Sequence, residues 1–132
     1  MRVAVSTISG GLDDKVSEVF GRAVSFTIVD VEDGEIKSVE VVRNDFAVRG
    51  GGAGVAVSQF LVDKGVNAVI TGNVGPNALG VLSSAGIKVY RGSGLTVKEA
   101  IEKLIRGELE EITSPSQPKM GRWRRGGGRG QW

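Results

Sequence analysis

The second half of the chain alternates segments of helical and strand pattern, and this alternation limits the folds open to it. Apolar residues at helical spacing predict a helix that begins near Ala53, and further helices are predicted from Pro76 and from Val97. The short apolar runs Val66–Thr71 and Ile87–Tyr90 lie between these helices and predict buried strands. Strands joined through a helix run parallel and are connected by right-handed crossovers. The sequence therefore predicts an α/β fold with these strands in one sheet.

The first half of the chain predicts three more strands. Arg2–Ser6 is a short apolar run, and Val24–Val31 is rich in β-branched residues. The turn Glu32–Glu35 contains an Asp-Gly pair and predicts a hairpin that returns along Ile36–Val42, a more polar strand expected at a sheet edge. One helical turn is predicted between the first two strands, with an apolar face formed by Val16, Val19 and Phe20. The whole chain thus predicts a mixed sheet of about five strands with helices on its faces.

Charge is unevenly divided along the chain. The 132 residues carry a net charge of +2, but residues 113–132 contain five basic residues and no acidic residue, whereas residues 1–112 carry a net charge of −3. The last segment is also rich in Gly, Ser and Pro, which predicts disorder. We expect one domain over residues 1–112 and a disordered basic tail rich in Gly and Arg over residues 113–132. No apolar run is long enough to span a membrane, and a cytoplasmic protein is expected.

The chain contains neither cysteine nor histidine. The usual protein ligands of zinc, copper and iron–sulfur clusters are therefore missing. Catalytic sites of the Ser-His-Asp and Cys-His types are excluded for the same reason. No other pair of nucleophile and base is evident in the sequence. We therefore expect a binding protein rather than an enzyme.

Glycine is concentrated in four segments, and the order of the strands decides whether all four lie at one rim of the sheet. Three of them follow strands of the parallel part, and the fourth, at residues 50–54, precedes the first crossover helix. Exposed N–H groups, missing side chains and a helix N-terminus together favour an anion, which in such sheets binds outside the carboxyl ends of the parallel strands. The candidate binding residues are Gly10, Gly11, Arg22, Arg49, Gly50, Gly51, Gly52, Gly54, Gly72, Asn73 and Gly75.

Simpler interpretations of the same residues remain open. The glycine segment at residues 50–54 can serve as a flexible connection between a strand and a helix. Arg22 can pair with Asp13 or Asp14 instead of facing a ligand, and these two carboxylates can bind a hard cation. Asn73 can act as a turn residue. The sequence has neither the lysine spacing of a phosphate loop nor a Gly-x-Gly-x-x-Gly fingerprint, so it does not indicate a nucleotide site.

The tail suggests a second class of function. Residues 119–132 combine five basic side chains with Trp123 and Trp132. Basic side chains contact phosphate and tryptophan stacks on bases, so the alternative hypothesis is weak, salt-dependent contact with nucleic acid. The other interpretation is a solubilising end without a partner.

Five segments of the chain carry a family resemblance. They are MRVAVS at Met1–Ser6, FGRA at Phe20–Ala23, GGGAG at Gly50–Gly54, TGNVGPNA at Thr71–Ala78 and GIKVY at Gly86–Tyr90. In this order and spacing, over about residues 1–108, they resemble the dinitrogenase iron–molybdenum cofactor biosynthesis family. The resemblance implies a ribonuclease-H-like, three-layer α/β fold. It also implies a non-enzymatic accessory protein that binds or carries an iron–sulfur or iron–molybdenum cofactor precursor.

The chain departs from the family at positions that bear on the ligand. Members of the family often have a histidine just before the Phe-Gly-Arg motif, where this chain has Val19. They often have histidines around the glycine loop that follows the hairpin, which here is Arg49–Gly54. A cofactor would therefore be held by backbone N–H groups with Arg22, Arg49 and Asn73, as suits an anionic cluster or oxyanion held from outside. Direct ligation of iron does not fit these residues.

Overall fold

Strands and helices alternate in the computed structural model, which describes residues 1–46 and 53–114. Their order is β1 (Arg2–Thr7), β2 (Ser25–Glu32), β3 (Glu35–Arg43), α1 (Ala53–Asp63), β4 (Ala68–Thr71), α2 (Pro76–Ser84), β5 (Lys88–Arg91) and α3 (Val97–Ile105). The predicted α/β class and the predicted order of these elements are confirmed. Within the described ranges, no helix is both long and apolar enough to cross a membrane. The predicted tail lies outside the described residues, apart from Thr113 and Ser114 at its start.

The five strands form one mixed sheet in the order β3-β2-β1-β4-β5. The strands β1, β4 and β5 are parallel, whereas β2 and β3 form an antiparallel hairpin that pairs with β1. Asp33 and Gly34 make the hairpin turn with φ values of 54° and 76°, the left-handed conformation that an Asp-Gly pair adopts readily. The strand β3 is at the edge, as its polar sequence predicted, and it is exposed along most of its length.

Helices cover both faces of the sheet and give three layers. Alternate side chains of each strand point to opposite faces, so β2 contributes Phe26 and Ile28 to one core and Val29 to the other. The first core packs against α1 and α2 through Val57, Leu61, Ala78 and Leu82. The second packs against α3 through Val97, Ala100 and Ile101. The predicted three-layer arrangement is confirmed.

Local signals at the helix ends behave as predicted. At the start of α3, Thr96 Oγ1 accepts from the Glu99 N–H at 3.2 Å, and the Glu99 carboxylate accepts from the Thr96 N–H at 2.9 Å. This is the predicted capping box. The glycines after α1 and α2, Gly65 and Gly86, have φ values of 74° and 79°, the left-handed conformation that ends a helix.

The predicted helical turn between β1 and β2 is wrong. Val16 and Phe20 are buried, but Val19 is 48 % exposed and forms an isolated parallel bridge with Asn73. The backbone of this segment is extended because its hydrogen bonds go to the neighbouring strands: the Ser17 N–H donates to the Ser6 carbonyl at 2.7 Å. Three apolar residues at helical spacing were too few to distinguish a turn of helix from an extended segment over the core.

The segment after α3 returns to the sheet and covers the edge of β5. The Ile112 N–H donates to the Val89 carbonyl at 2.7 Å, and the Arg91 N–H donates to the Glu110 carbonyl at 2.9 Å. Glu111 pairs antiparallel with Tyr90. The described chain therefore leaves the sheet near the beginning of β5.

Candidate functional site

The crossovers bring the N-termini of α1 and α2 to the same end of the molecule, where β1 and β4 end. Between them lies a cleft of about 420 Å³ lined by Val19–Arg22, Ala53–Val55 and Asn73–Ala78. Of the candidate residues, the structure therefore brings Arg22, Gly54, Asn73 and Gly75 to one place. Arg49, Gly50, Gly51 and Gly52 lie outside the described residues.

A buried hydroxyl network fills the gap between the ends of β1 and β4. Ser17 lies between the two strands, where its N–H donates to Ser6 and its carbonyl accepts from the Gly72 N–H at 3.1 Å. The Ser6 hydroxyl lies 2.9 Å from the Ser17 carbonyl oxygen and 2.8 Å from Thr71 Oγ1. Because a carbonyl oxygen only accepts, Ser6 donates to it and the Thr71 hydroxyl donates to Ser6. With this gap filled, the cleft opens beside it, on the face that carries α1 and α2.

Close backbone approaches require glycine at the base of the cleft. A Cβ atom on Gly21 would lie 2.9 Å from the Gly54 Cα and 3.0 Å from the Gly54 nitrogen. A Cβ on Gly54 would lie 3.2 Å from the Cβ of Ala78, so α1 and α2 also approach closely here. The Ser58 hydroxyl of α1 donates to the Gly54 carbonyl at 2.7 Å. These contacts fix the 19–22 loop against the start of α1.

Gly72 has a packing role and is not part of the cleft wall. A Cβ on Gly72 would lie 2.6 Å from the Glu18 Cα and 2.8 Å from the Glu18 carbonyl oxygen. Its N–H donates to Ser17, and its carbonyl accepts from Arg91 Nε at 3.3 Å. The glycine is needed because the 15–19 segment crosses directly over it.

Asn73 holds the loop that forms the opposite wall of the cleft. Its side-chain amide donates to the Glu18 carbonyl at 3.1 Å, and its backbone bridges to Val19. Asn73 lines the cleft while using a side-chain N–H in this contact. Asn73 therefore has a structural role in its loop and also lies in the wall of the cleft.

The electrostatics of the cleft favour negative charge. Among the described residues that line the cleft, Arg22 is the charged one. Its side chain is exposed and makes no ion pair with any described residue. Gly75, the N-cap of α2, has no side chain to accept from the first-turn N–H groups of Asn77 and Ala78. The N-terminus of α1 opens into the same cleft. Two helix N-termini and a guanidinium therefore face one volume without a described carboxylate among its walls.

Gly10 and Gly11 lie on the other face of the sheet, away from the cleft. The Gly10 N–H donates to the Asp14 carboxylate at 2.9 Å, and the Gly11 N–H donates to the Thr27 hydroxyl at 3.0 Å. The Ile8 N–H donates to the same oxygen of Asp14 at 2.8 Å. The structure therefore does not place these two glycines at a shared rim: their N–H groups already have acceptors within the domain.

Asp14 is a structural residue of this loop. Partial burial acts to raise the pKa of Asp14, but the backbone N–H donors of Gly10, Ile8, Lys15 and Ser9 together lower it below its usual range. The carboxylate serves as the internal anion of the loop and does not pair with Arg22. The described residues contain no group of three or more carboxylates that could hold a metal ion.

Sequence reasoning missed the apolar walls of the cleft. Val19, Val55, Val74 and Pro76 line it together with Phe20, which is 2 % exposed. The signal available in the sequence was an apolar residue, Val19, directly before Phe20. The sequence did not show that this valine is exposed, because its 48 % exposure results from the extended conformation of the loop. The described lining of the cleft thus combines apolar walls with the Arg22 cation and backbone N–H groups, a combination suited to a bulky anion.

Known proteins match both the sequence and the fold. An uncharacterized protein of Methanocaldococcus jannaschii, MJ0580, is 34 % identical over 113 residues, which cover 85 % of this chain and 96 % of that protein. The apo form of the orange protein from Desulfovibrio gigas has a TM-score of 0.82 and 36 % identity, covering 88 % of this chain and 96 % of that chain. The Thermotoga protein TM1290 has a TM-score of 0.73 and 45 % identity, with coverages of 88 % and 97 %.

The family comparison agrees with the resemblance read from the motifs. Residues 1–107 match the family described as dinitrogenase iron-molybdenum cofactor. This range includes each strand and helix of the described residues and the described walls of the cleft. The chain therefore belongs to the dinitrogenase iron–molybdenum cofactor family.

Proposed function

We propose that this protein is a non-enzymatic carrier that binds an anionic metal–sulfur cofactor precursor, or another small anion, in the cleft between α1 and α2. Membership of the dinitrogenase iron–molybdenum cofactor family supports a role related to that cofactor. The observation that carries the proposal is Arg22, a cation without a described ion-pair partner, beside two helix N-termini. The cargo is treated as a substrate that is bound and released.

The chemistry of the cleft supports binding of a cluster whose own ligands remain in place. The whole chain has no cysteine and no histidine, so it offers neither thiolate nor imidazole to iron. Asn73 and Asn77 supply amides and Arg22 supplies N–H donors, all of which suit the outer atoms of an anion. The apolar walls suit a large, weakly hydrated anion better than a small, strongly hydrated one. Arg49 and the backbone of Gly50, Gly51 and Gly52 are proposed to complete this site.

Replacing Arg22 by alanine tests the proposal. The probe is a synthetic [4Fe–4S] cluster with four thiolate ligands, titrated anaerobically into the full-length protein. We expect Arg22→Ala to weaken binding about tenfold, because a charge-assisted contact contributes about 1.5 kcal/mol or more. Arg43→Ala is the matched control, since Arg43 lies at the same end of the sheet but not in the cleft. Equal affinities for Arg22→Ala and wild type would reject this site.

The glycine loop gives a second, independent variant. Arg49→Ala is also expected to weaken binding of the same probe, as predicted from the sequence. If Arg22→Ala weakens binding and Arg49→Ala does not, the site is confined to the described cleft. If neither variant differs from Arg43→Ala, the anion is bound elsewhere or not at all.

Contact with nucleic acid through residues 119–132 is the alternative function. It rests on five basic residues and two tryptophans outside the described part of the chain. A chain that ends at Thr113 should lose salt-dependent binding of a single-stranded RNA under this alternative and retain binding of the cluster probe under the first. Retention of RNA binding by the shortened chain would reject the alternative.

A further inference from the structure

A groove of about 560 Å³ lies at the end of the molecule opposite the cleft. It is bounded by the β2–β3 turn and the last turn of α3, and is lined by Met1, Val31–Gly34, Leu104 and Ile105. Strand direction places it there: β2 ends and α3 ends at the side of the sheet where β1 begins. Nothing in the proposed function uses this end of the molecule.

The groove combines exposed apolar side chains with carboxylates that have no ion-pair partner among the described residues. Met1 is 50 % exposed and Ile105 is 38 % exposed. Glu32 and Asp33 are exposed and make no ion pair with any described residue. The Met1 ammonium is directed at the Val31 carbonyl oxygen, 2.8 Å away.

The described part of the chain finishes at this end of the molecule. Glu110–Ile112 runs antiparallel to β5, so Ser114 lies beyond the beginning of that strand and 18 residues follow it. The groove under β2 is three strands away, a distance of about 15 Å. For comparison, a random-coil chain of 18 residues would have a root-mean-square end-to-end distance of about 21–25 Å. Residues 115–132 can therefore reach the groove without strain.

The composition of that segment complements the groove. It carries Lys119, Arg122, Arg124, Arg125 and Arg129 without an acidic residue, and it contains Trp123 and Trp132. A further surface groove runs along the exposed side of α1 and α2, between Gln59–Val62 and Gly80–Ala85, and its described lining contains no carboxylate. The candidate cleft carries Arg22, so neither of these two surfaces matches a basic segment. We propose that residues 115–132 dock in cis on the groove, with arginines beside Glu32 and Asp33 and a tryptophan against Ile105.

Tryptophan fluorescence of the full-length protein tests this docking directly. Both tryptophans of the chain lie in the docking segment, so the emission reports on that segment alone. We expect a shorter emission wavelength than that of a free peptide of residues 115–132, and an acrylamide quenching constant about twofold lower or more. Both differences should shrink as salt is raised, and neither should depend on protein concentration.

The paired variant Glu32→Gln with Asp33→Asn removes the two carboxylates without disturbing the turn, since asparagine tolerates the positive φ of Asp33. In this variant, the acrylamide quenching constant and the emission wavelength should move towards the values of the free peptide. The matched control, Asp13→Asn with Asp45→Asn, makes the same change in net charge at the opposite end of the sheet and should leave both unchanged. Ile105→Ala should act like the first pair.

Three outcomes would overturn the proposal. Emission and quenching equal to those of the free peptide would mean that the segment does not dock. Equal effects of the two variant pairs would mean that net charge acts without a specific groove. Docking that strengthens with protein concentration would assign the groove to a second copy of the chain.

Discussion

Gly21 shows how one missing side chain shapes the candidate site. An alanine there would place its Cβ 2.9 Å from the Cα of Gly54, a backbone atom that cannot rotate away. The 19–22 loop and the start of α1 must then separate. We expect Gly21→Ala to lower the free energy of unfolding by about 1–3 kcal/mol, as other overpacking substitutions do. Urea unfolding followed by circular dichroism measures this.

Gly75→Ala is the control for that substitution. It changes a glycine in the wall of the same cleft, but a Cβ there meets no atom within 4 Å. The expected loss is below about 1 kcal/mol, the scale of changes at an N-cap. Equal losses for the two variants would show that the approach of Gly21 to Gly54 is looser than described.

Asp14 links the stability of the β1–β2 loop to pH. The folded state lowers its pKa, so its contribution to stability is complete above the pKa of the unfolded chain, near pH 4, and is lost as pH falls through the folded value. Asp14→Asn should therefore be less stable than wild type by about 1 kcal/mol at pH 7. The difference should narrow below about pH 4, where the wild-type carboxyl also becomes neutral.

Thermal unfolding at several pH values measures this dependence, with Asp13→Asn as the control. Asp13 is exposed and makes no hydrogen bond or ion pair through its side chain to any described residue. A constant difference between Asp14→Asn and wild type from pH 7 to pH 3 would contradict the assigned role of the carboxylate. The two adjacent acids could not be told apart from sequence, because their roles depend on which one faces the N–H groups of the loop.

At the scale of elements, α2 contains a glycine that its structure does not require. Gly80 lies in the exposed middle of the helix, and a Cβ there meets no atom within 4 Å. We expect Gly80→Ala to raise the free energy of unfolding by about 0.8–1 kcal/mol, because alanine has the higher helix propensity. Denaturant unfolding at pH 7 measures this change in the free energy of unfolding. A loss of stability in Gly80→Ala would indicate that another part of the protein packs against α2 at this position.

The elements that sequence predicted well have strong local signals. Thr96 and Glu99 have capping-box spacing, and the structure shows both hydrogen bonds of that motif. The Asp-Gly turn likewise identified the hairpin. The segment around Val19 was predicted wrongly because its conformation comes from hydrogen bonds to β1 and β4, which are distant in sequence.

At the scale of the whole molecule, the site depends on topology. Parallel crossovers bring Gly54 and Gly75 to one end. The sequence predicted this position for Gly75, which follows a parallel strand, whereas the position of Gly54 depended on the strand order that the structure supplies. The sequence did not predict on which face of the sheet each loop lies. This depends on which side chains of the neighbouring strands point to that face. Gly10 and Gly11 consequently lie on the α3 face, where Thr27 and Asp14 accept their N–H groups.

The two ends of the molecule have different chemistry. The cleft end presents Arg22 with helix N-termini, whereas the opposite end presents Glu32 and Asp33 with the C-terminus of α3. An anionic cargo should therefore bind at the first end and leave the second unaffected. Binding of the cargo should therefore change the environment of residues at the first end only, which can be measured for each residue separately.

The most direct measurement is an anaerobic amide NMR titration of the full-length protein with the thiolate-ligated [4Fe–4S] cluster. We expect saturable changes at Val19–Arg22, Ala53–Val55 and Asn73–Ala78, with Gly10, Gly11 and the Glu32–Glu35 turn unaffected. Changes confined to other residues, or no saturable change at the cleft, would contradict the claim that this cleft binds an anionic metal–sulfur cargo.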